Sequence, residues 1–524
     1  MRRSVRGRIV TVVVGAMVVV AAAQGDVSQG LAALKAGDAA KAVKLLEPFV
    51  EANPSSFTAV MGLGNAYYLQ RRIDEAKEQF AKAVELKPDD VNARANLATT
   101  ASALGDYDLA VGTYLELVKE QPRNDELHHN LGVAYLAMGE YDKATEAFKQ
   151  AIAIRPTIHD YHLRLGELFD LTNQPLKALE SYEKALKLRP KSTEPLLAMA
   201  GIYRGRSEYA TARKYLLKAL KVDPASWKAT GELGVLQELQ GNLDKAAYRY
   251  IQALRHNPDA TKYLEALASV FTKKGDYEQA IDYYRQLIAR DPASAVAHGE
   301  LGIALAKSGE YYEAVGELKQ ALERKPDHVR YLNALGESYL ALEKYDMAVS
   351  CFEDVLKEQT DNREARLRLG IVAYERRKYD RAEKYLRGVL AMERANADAR
   401  YYVGMIAVEK KRFDEAREHF EELRGRFAQD ARVYYGLGLA YSRGGDVREG
   451  IKHHTKAVEL QETHLEAHWE LAKLYDSVGD KEMAYRHFKK ILTVDPNHHL
   501  KDIIMNRLEA LREDGVADPD WQKF

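Results

Sequence analysis

The sequence predicts an all-α solenoid of about fourteen 34-residue helix-turn-helix units. Three observations carry this. Small and aromatic residues return every 34 positions, a proline closes most units, and only 14 of 524 residues are Pro. With 30% charged and 9% aromatic residues, the composition is that of a well-ordered, helix-friendly chain.

One unit illustrates the pattern. In residues 57–90, Leu63, Gly64 and Tyr67 fall on one helical face. After Gln70-Arg71-Arg72 a second helical pattern begins, with Ala76, Phe80 and Ala83 at i, i+4 and i+7, and Pro88 closes the unit. Shifted by 34, the pattern recurs fourteen times between residues 23 and 498 without insertion. The eighth position is Gly or Ala in all fourteen repeats, from Gly30 to Ala472, and Gly in ten. The twentieth is Ala except at Gly450, and the thirty-second is Pro in ten repeats, Pro54 to Pro326 and Pro496. A helical Gly costs about 1 kcal/mol against Ala, so a chain that accepts it repeatedly needs space where two helices cross. The aromatic at position twenty-four (Phe80, Phe148, Tyr250, Phe420 and others) is expected to fill volume between adjacent repeats. The proline is expected to stop the second helix.

This 34-residue pattern resembles the tetratricopeptide repeat family, over about nine-tenths of the chain and at seven recurring positions. The resemblance implies antiparallel helix pairs stacked into a right-handed superhelix, about two turns long. It also implies a concave groove lined by the first helix of each pair. Each unit buries its apolar faces only against neighbours, so the array is quasi-one-dimensional.

Departures from the pattern carry their own expectations. Repeats ten to thirteen have Thr360, Arg394, Ala428 and Glu462 in place of the proline. Their second helices are expected to run on, or their junctions to loosen into a hinge. Pro48 should kink the second helix of repeat one. Residues 499–512 read as a capping helix with Leu500, Ile503, Ile504, Leu508 and Leu511 on one stripe, followed by a frayed tail to Phe524.

The N-terminus reads as an address. Arg2, Arg3, Arg6 and Arg8 precede an uncharged stretch from Ile9 to Ala23 that ends in three alanines. This fits a secretory signal spanning residues 1–23, cleaved before Gln24. The alternative is an uncleaved inner-membrane anchor, although 15 residues are short of the roughly 20 a spanning helix needs. The expected location is the periplasm or the envelope. Without the four arginines, 73 basic residues face 78 acidic ones, which argues against binding a phosphate backbone. Cys351 is the single cysteine, so an intrachain disulfide and a cysteine-based zinc site are both ruled out.

No catalytic constellation stands out, and no cofactor or metal is expected. The glycines belong to the repeat and form no phosphate loop. His464 with His468, and His159 with His162, could each share a helix face, but a metal needs a third ligand. A two-carboxylate clamp, as in chaperone-tail-binding relatives, would use Asn65 and Asn96. Its basic positions hold Met61, Glu126 and Asn130, so it lacks counter-charge. An asparagine ladder at position six stops at Asn96 and Asn130.

Groove-facing positions of the C-terminal third are richer. Tyr374, Tyr401, Tyr402, Tyr435 and Trp469 lie there with Arg330, Arg368 and Arg432. Aromatics and Arg dominate interface energies, so repeats ten to fourteen are expected to bind proteins or peptide segments; packing between first helices is the competing use of the tyrosines. The functional expectation is a non-catalytic scaffold in the bacterial cell envelope. A second reading is an accessory subunit of an envelope polysaccharide or polymer secretion system. Self-association is compatible with either reading, and membrane contact would come only through an uncleaved N-terminus.

Overall fold

The computed structural model of the chain describes residues 25–517. The predicted signal segment and the end of the tail lie outside the described residues. Twenty-nine α-helices are described, and no strand is found among the described residues. None of these helices is long and apolar enough to cross a membrane.

The chain is an all-α solenoid. Fourteen helix pairs follow the sequence register, and every second helix is 14 residues long, from Ala39–Ala52 in repeat one to Lys481–Val494 in repeat fourteen. Two compact units divide at Tyr263 and Leu264, within the first helix of repeat eight (Thr261–Lys274). Each unit is held by a string of local clusters. In the first, one cluster joins Ala98 to Ile202 and another Ala33 to Ala93. In the second, separate clusters centre on Leu386, Phe420 and Phe488. Short-range packing of this kind follows from repeats that bury their faces only against neighbours.

The recurring residues hold the pair together in a specific way. All thirteen position-twenty alanines, Ala42 to Ala484, have 0% exposure. A Cβ on any of the ten position-eight glycines would stand 2.5–2.8 Å from the position-twenty-four side chain of its own repeat, as between Gly132 and Phe148. The glycine therefore makes room first for a ring or a leucine, and at Gly234 and Gly302 the partner backbone also approaches, Ala246 O at 3.3 Å and Leu318 N at 3.1 Å. The large residue seals its own helix pair, and some reach further: Phe420 also fills the space left by Gly436 in the next repeat. Gly450 replaces alanine because a methyl there would meet Ser442 Cβ at 2.6 Å and its backbone nitrogen at 3.1 Å.

One further position recurs. Position fifteen, one or two residues past the end of the first helix, has positive φ in all fourteen repeats. It is Gly in eight and Arg71, Asn173, Ser207, Glu343, Arg377 or Lys411 in the others. Backbone bonds such as Lys378 N–H to Ala373 O (2.8 Å) and Arg377 N–H to Tyr374 O (2.8 Å) close a Schellman-type turn there.

The repeats without proline neither run on nor change their turn. Their second helices end at Glu358, Met392, Arg426 and Leu460, as long as those of the other repeats. The four-residue turn that follows has the same N–H to C=O bond with Pro (Asp90 to Lys87, 3.1 Å) and without it (Asn362 to Gln359, 3.0 Å). Helix termination thus does not depend on proline, which occupies the second position of this turn and presets its φ. Where it is missing, a side chain six residues on binds the carbonyl at its place in all four repeats, a contact that His128, His162 and His298 also make to Pro122, Pro156 and Pro292. Arg366 holds Thr360 O (2.5 Å), Arg400 holds Arg394 O (2.7 Å), Tyr434 holds Ala428 O (3.2 Å) and His468 holds Glu462 O (3.0 Å).

The second helix of repeat one continues through Pro48 to Ala52. The C-terminal helix spans Lys501–Glu513 and buries Ile504, Leu508 and Leu511, while Ile503 is 57% exposed. It covers Phe488, Ile491 and Leu492 of repeat fourteen.

Candidate partner-binding face

The eight residues singled out in the sequence all lie on first helices of the second unit, from Val329–Ala341 to Leu465–Ser477. The five aromatics are half-buried, each presenting an edge to solvent while its body packs on a neighbour. Tyr402 meets Tyr374 edge-on at 5.2 Å between ring centroids and Tyr401 at 5.4 Å. These three form one cluster bridging repeats eleven and twelve. Tyr435 packs on His464 (5.0 Å) and His454 (5.6 Å), and Trp469 stands on Phe488 at 5.6 Å. Burial pushes the hydroxyls of Tyr374, Tyr401, Tyr402 and Tyr435 above their ordinary pKa, so they stay neutral hydrogen-bonding groups near pH 7.

The three arginines are all engaged. Arg330 binds both carboxylate oxygens of Glu300, at 2.6 and 3.0 Å. Arg368 lies 2.7 Å from Glu337 and 2.9 Å from Glu364, although its Nε meets neither in hydrogen-bond geometry. Arg432 binds Asp430 (2.9 Å) and Asp398 (3.3 Å), with its guanidinium 5.5 Å from the Tyr401 ring centroid. The hydrogen bonds it donates to Asp430 raise its pKa further. The face is therefore a row of aromatic edges between neutralised ion pairs rather than a bare cationic strip.

Sequence reading missed further members. Arg443 pairs with Glu409 at 2.8 Å, and Lys473 sits 5.6 Å from the Trp469 ring while bonding Glu470 (2.9 Å). The signal was present. Glu409 and Arg443 are one period apart, as are Asp398 and Arg432, so opposite charges at one repeat position face each other across adjacent first helices.

Other candidate groups turn inward. Asn96 Nδ2 donates to Asn65 Oδ1 at 3.3 Å, tying two first helices together. His159 Nδ1 lies 3.0 Å from Asp160, and His162 Nε2 donates to Pro156 O at 2.9 Å. His464 Nδ1 accepts the Ala467 amide and His468 pairs with His487. Among the described residues, no group of three or more His, Cys, Asp or Glu is placed to hold a metal ion.

Comparisons with known proteins agree on the repeat. Tetratricopeptide repeat models match residues 27–91, 197–260, 244–295, 333–388 and 367–431. Others match 70–129 and 271–337, 126–158, and 159–192, 431–464 and 465–498. The last three coincide with repeats five, thirteen and fourteen in the register above. A 91-residue stretch is 34% identical to Superkiller complex protein 3 of Homo sapiens, covering 17% of this chain and 6% of that protein. The chain thus matches only a small part of that relative's length. Among solved structures, the APC/C hetero-tetramer Cut9-Hcn1 is 16% identical over 92% of this chain and 95% of its own, with a TM-score of 0.40. A tetratricopeptide repeat protein from Parabacteroides merdae is 20% identical over 48% and 98%, with a TM-score of 0.41. MamA is 25% identical over 31% and 95%, with a TM-score of 0.29. With its register matched from residue 27 to residue 498, the chain belongs to the tetratricopeptide repeat family.

Proposed function

We propose that this protein is a non-catalytic scaffold that binds extended or helical segments of partner proteins along the first helices of repeats ten to fourteen. Family membership supports the class, since tetratricopeptide repeats generally bind peptides or proteins. The observation that carries the location is the row of half-buried aromatic edges, Tyr374, Tyr401, Tyr402, Tyr435 and Trp469, set among ion pairs. Such rings are rigid and already half-desolvated, so burying the remaining edge loses little side-chain entropy. The cations are already neutralised, so the ligand that fits is an apolar or aromatic segment with hydrogen-bonding groups rather than a strongly acidic tail.

The cellular setting is proposed from the N-terminal arginines and the uncharged stretch that follows, which support export to the bacterial envelope. Crosslinking in the native host with a C-terminally tagged protein, followed by N-terminal sequencing, tests both parts. The expected result is a chain beginning at Gln24, with crosslinks to envelope proteins mapping to repeats ten to fourteen. Replacing Tyr402, Tyr435 and Trp469 together by alanine should reduce that crosslinking at least tenfold while helical content is kept. Undiminished crosslinking by a folded triple variant would overturn the site, and an intact N-terminus with cytosolic partners would overturn the setting.

A further inference from the structure

Repeats nine and fourteen use one structural position in opposite ways. In repeat nine, His298 on the first helix (Ala295–Ser308) donates Nε2 to Pro292 O at 3.2 Å. Its Nδ1 lies 2.6 Å from Glu317 on the second helix (Tyr311–Arg324). In repeat fourteen, His468 on Leu465–Ser477 makes the same Nε2 bond, to Glu462 O at 3.0 Å. Its Nδ1, however, lies 2.8 Å from Nδ1 of His487 on Lys481–Val494. His487 is the counterpart of Glu317, since each lies 19 residues after its histidine.

The tautomers follow from these contacts. A carbonyl only accepts, so His468 carries its proton on Nε2 and offers the Nδ1 lone pair. His487 therefore donates from Nδ1. One added proton is accommodated on Nε2 of His487, whose Nδ1–H still donates to His468. Two cannot, because both nitrogens would then present hydrogens to each other across 2.8 Å. In repeat nine the partner is a carboxylate, which presents no hydrogen to Nδ1 of His298.

We propose that the His468–His487 pair is an acid-labile latch between the two helices of repeat fourteen, opening as both imidazoles become protonated. The surroundings favour opening. His468 is 5% exposed, and Tyr475 stacks on His487 at 5.7 Å between centroids. The ionisable groups that act on the pair are Lys490 and Arg486 from the second helix, and Glu462 and His464 from the segment entering the first. The lysine and arginine oppose added positive charge, and the Glu462 carboxylate is bound to Lys490. Burial lowers the pKa of both imidazoles, that of His487 to about 4. Groups lowered on folding contribute fully above the unfolded value of about 6.5 and lose that contribution as pH falls toward the folded value. Opening would separate Trp469, beside His468, from Phe488, beside His487, and uncover Phe488 and Tyr485, which are 3% and 4% exposed.

Hydrogen exchange on the full chain at pH 7, 6 and 5, corrected for intrinsic rates, tests the latch. The opening constant of Leu465–Val494 should rise about tenfold per pH unit for each proton excluded from the closed form. Ala295–Arg324, with its histidine–glutamate pair, is the internal control and should not follow. His487→Glu, which rebuilds the repeat-nine contact, should remove the acid response, and His487→Gln should reduce it by about one proton. The proposal fails if both segments respond alike in the wild type, or if His487→Glu folds and keeps the wild-type response. If His487→Glu does not fold, the wild-type comparison and His487→Gln decide.

Discussion

Repeats one to nine close on proline and repeats ten to thirteen do not, yet the closing turn is the same in both. The two sets reach it by different physics. Proline narrows the unfolded ensemble, and at Pro122, Pro156 and Pro292 its carbonyl is also bound, by His128, His162 and His298. Repeats ten to thirteen lack that restriction, and all four bind the carbonyl at that place, with Arg366, Arg400, Tyr434 and His468. The same stretch adds an ion-pair lattice. Glu383 receives Arg387 (2.9 Å), Lys410 (2.8 Å) and Arg412 (2.9 Å), joining two consecutive repeats. Burial works against its charge, but these three donors outweigh it and bring its pKa down to about 2. The comparison teaches that packing of the helix pair defines the unit, while the closure is interchangeable. Junctions closed by charge are open to pH and salt in a way that proline junctions are not.

The largest effect tests whether packing does define the unit. Phe148 and Phe420 are both 0% exposed and both cover a position-eight glycine, Gly132 and Gly404. Phe148 belongs to a repeat closed by proline and Phe420 to one that is not. Replacing either with alanine should cost about 3–5 kcal/mol, measured by urea unfolding with a local probe. The two losses should agree within about 1 kcal/mol, apart from the extra that Phe420 forfeits at Gly436. If Phe420→Ala cost less than about 1 kcal/mol, repeats without proline would be held by their ion pairs instead.

The next effect separates the two closures directly. Arg400 is 7% exposed, binds Arg394 O and pairs with Glu422 at 2.7 Å. Arg400→Leu should therefore cost about 1–3 kcal/mol. Arg394→Pro should restore about 0.4–1 kcal/mol, because the preceding Glu393 is already extended (φ −138, ψ 86), as a residue before proline must be. In a double-mutant cycle, interchangeable closures predict that Arg400→Leu costs less in the proline background, while full additivity would show that each stabilises a different feature.

Much of this was legible in the sequence because the repeat writes the same contact many times. The glycines, alanines and rings at positions eight, twenty and twenty-four were each found by period, and their burial follows. Three things were harder to see. The ring partner of a position-eight glycine lies on the antiparallel helix of the same unit, so spacing alone did not show which face the glycine serves. The site arginines look free in sequence, but Glu300, Glu337, Asp398 and Asp430, all from the preceding repeat, neutralise them. Gly231 and Gly299 receive the rings of Tyr263 and Tyr331, each 32 residues on, an offset hidden because it differs from the period.

The smallest effect concerns the turn inside each unit. Position fifteen is left-handed in every repeat, but residue identity hid it, because six repeats use a residue with a side chain. Repeats ten to twelve are three of these, through Glu343, Arg377 and Lys411, with φ of 56°, 56° and 58°. A left-handed conformation costs an L-residue roughly 1–2 kcal/mol. Glycine removes that strain but has more unfolded-state entropy to lose, roughly 0.5–1 kcal/mol. Lys411→Gly and Arg377→Gly should therefore each stabilise by no more than about 1 kcal/mol. The reverse change is cleaner. A methyl on Gly105 or Gly139 meets no atom within 4 Å, so Gly105→Ala and Gly139→Ala report backbone strain alone. Each should destabilise by about 1 kcal/mol in urea titrations, with the slope unchanged. Equal and opposite shifts at positions 105 and 411 would show that repeats ten to twelve carry strain in the internal turn, a strain that Arg71, Asn173 and Ser207 bring to three proline-closed repeats as well. No shift at either would mean that the left-handed turn is held by the helix pair at no cost, leaving the closing turn as the one place where the two sets differ.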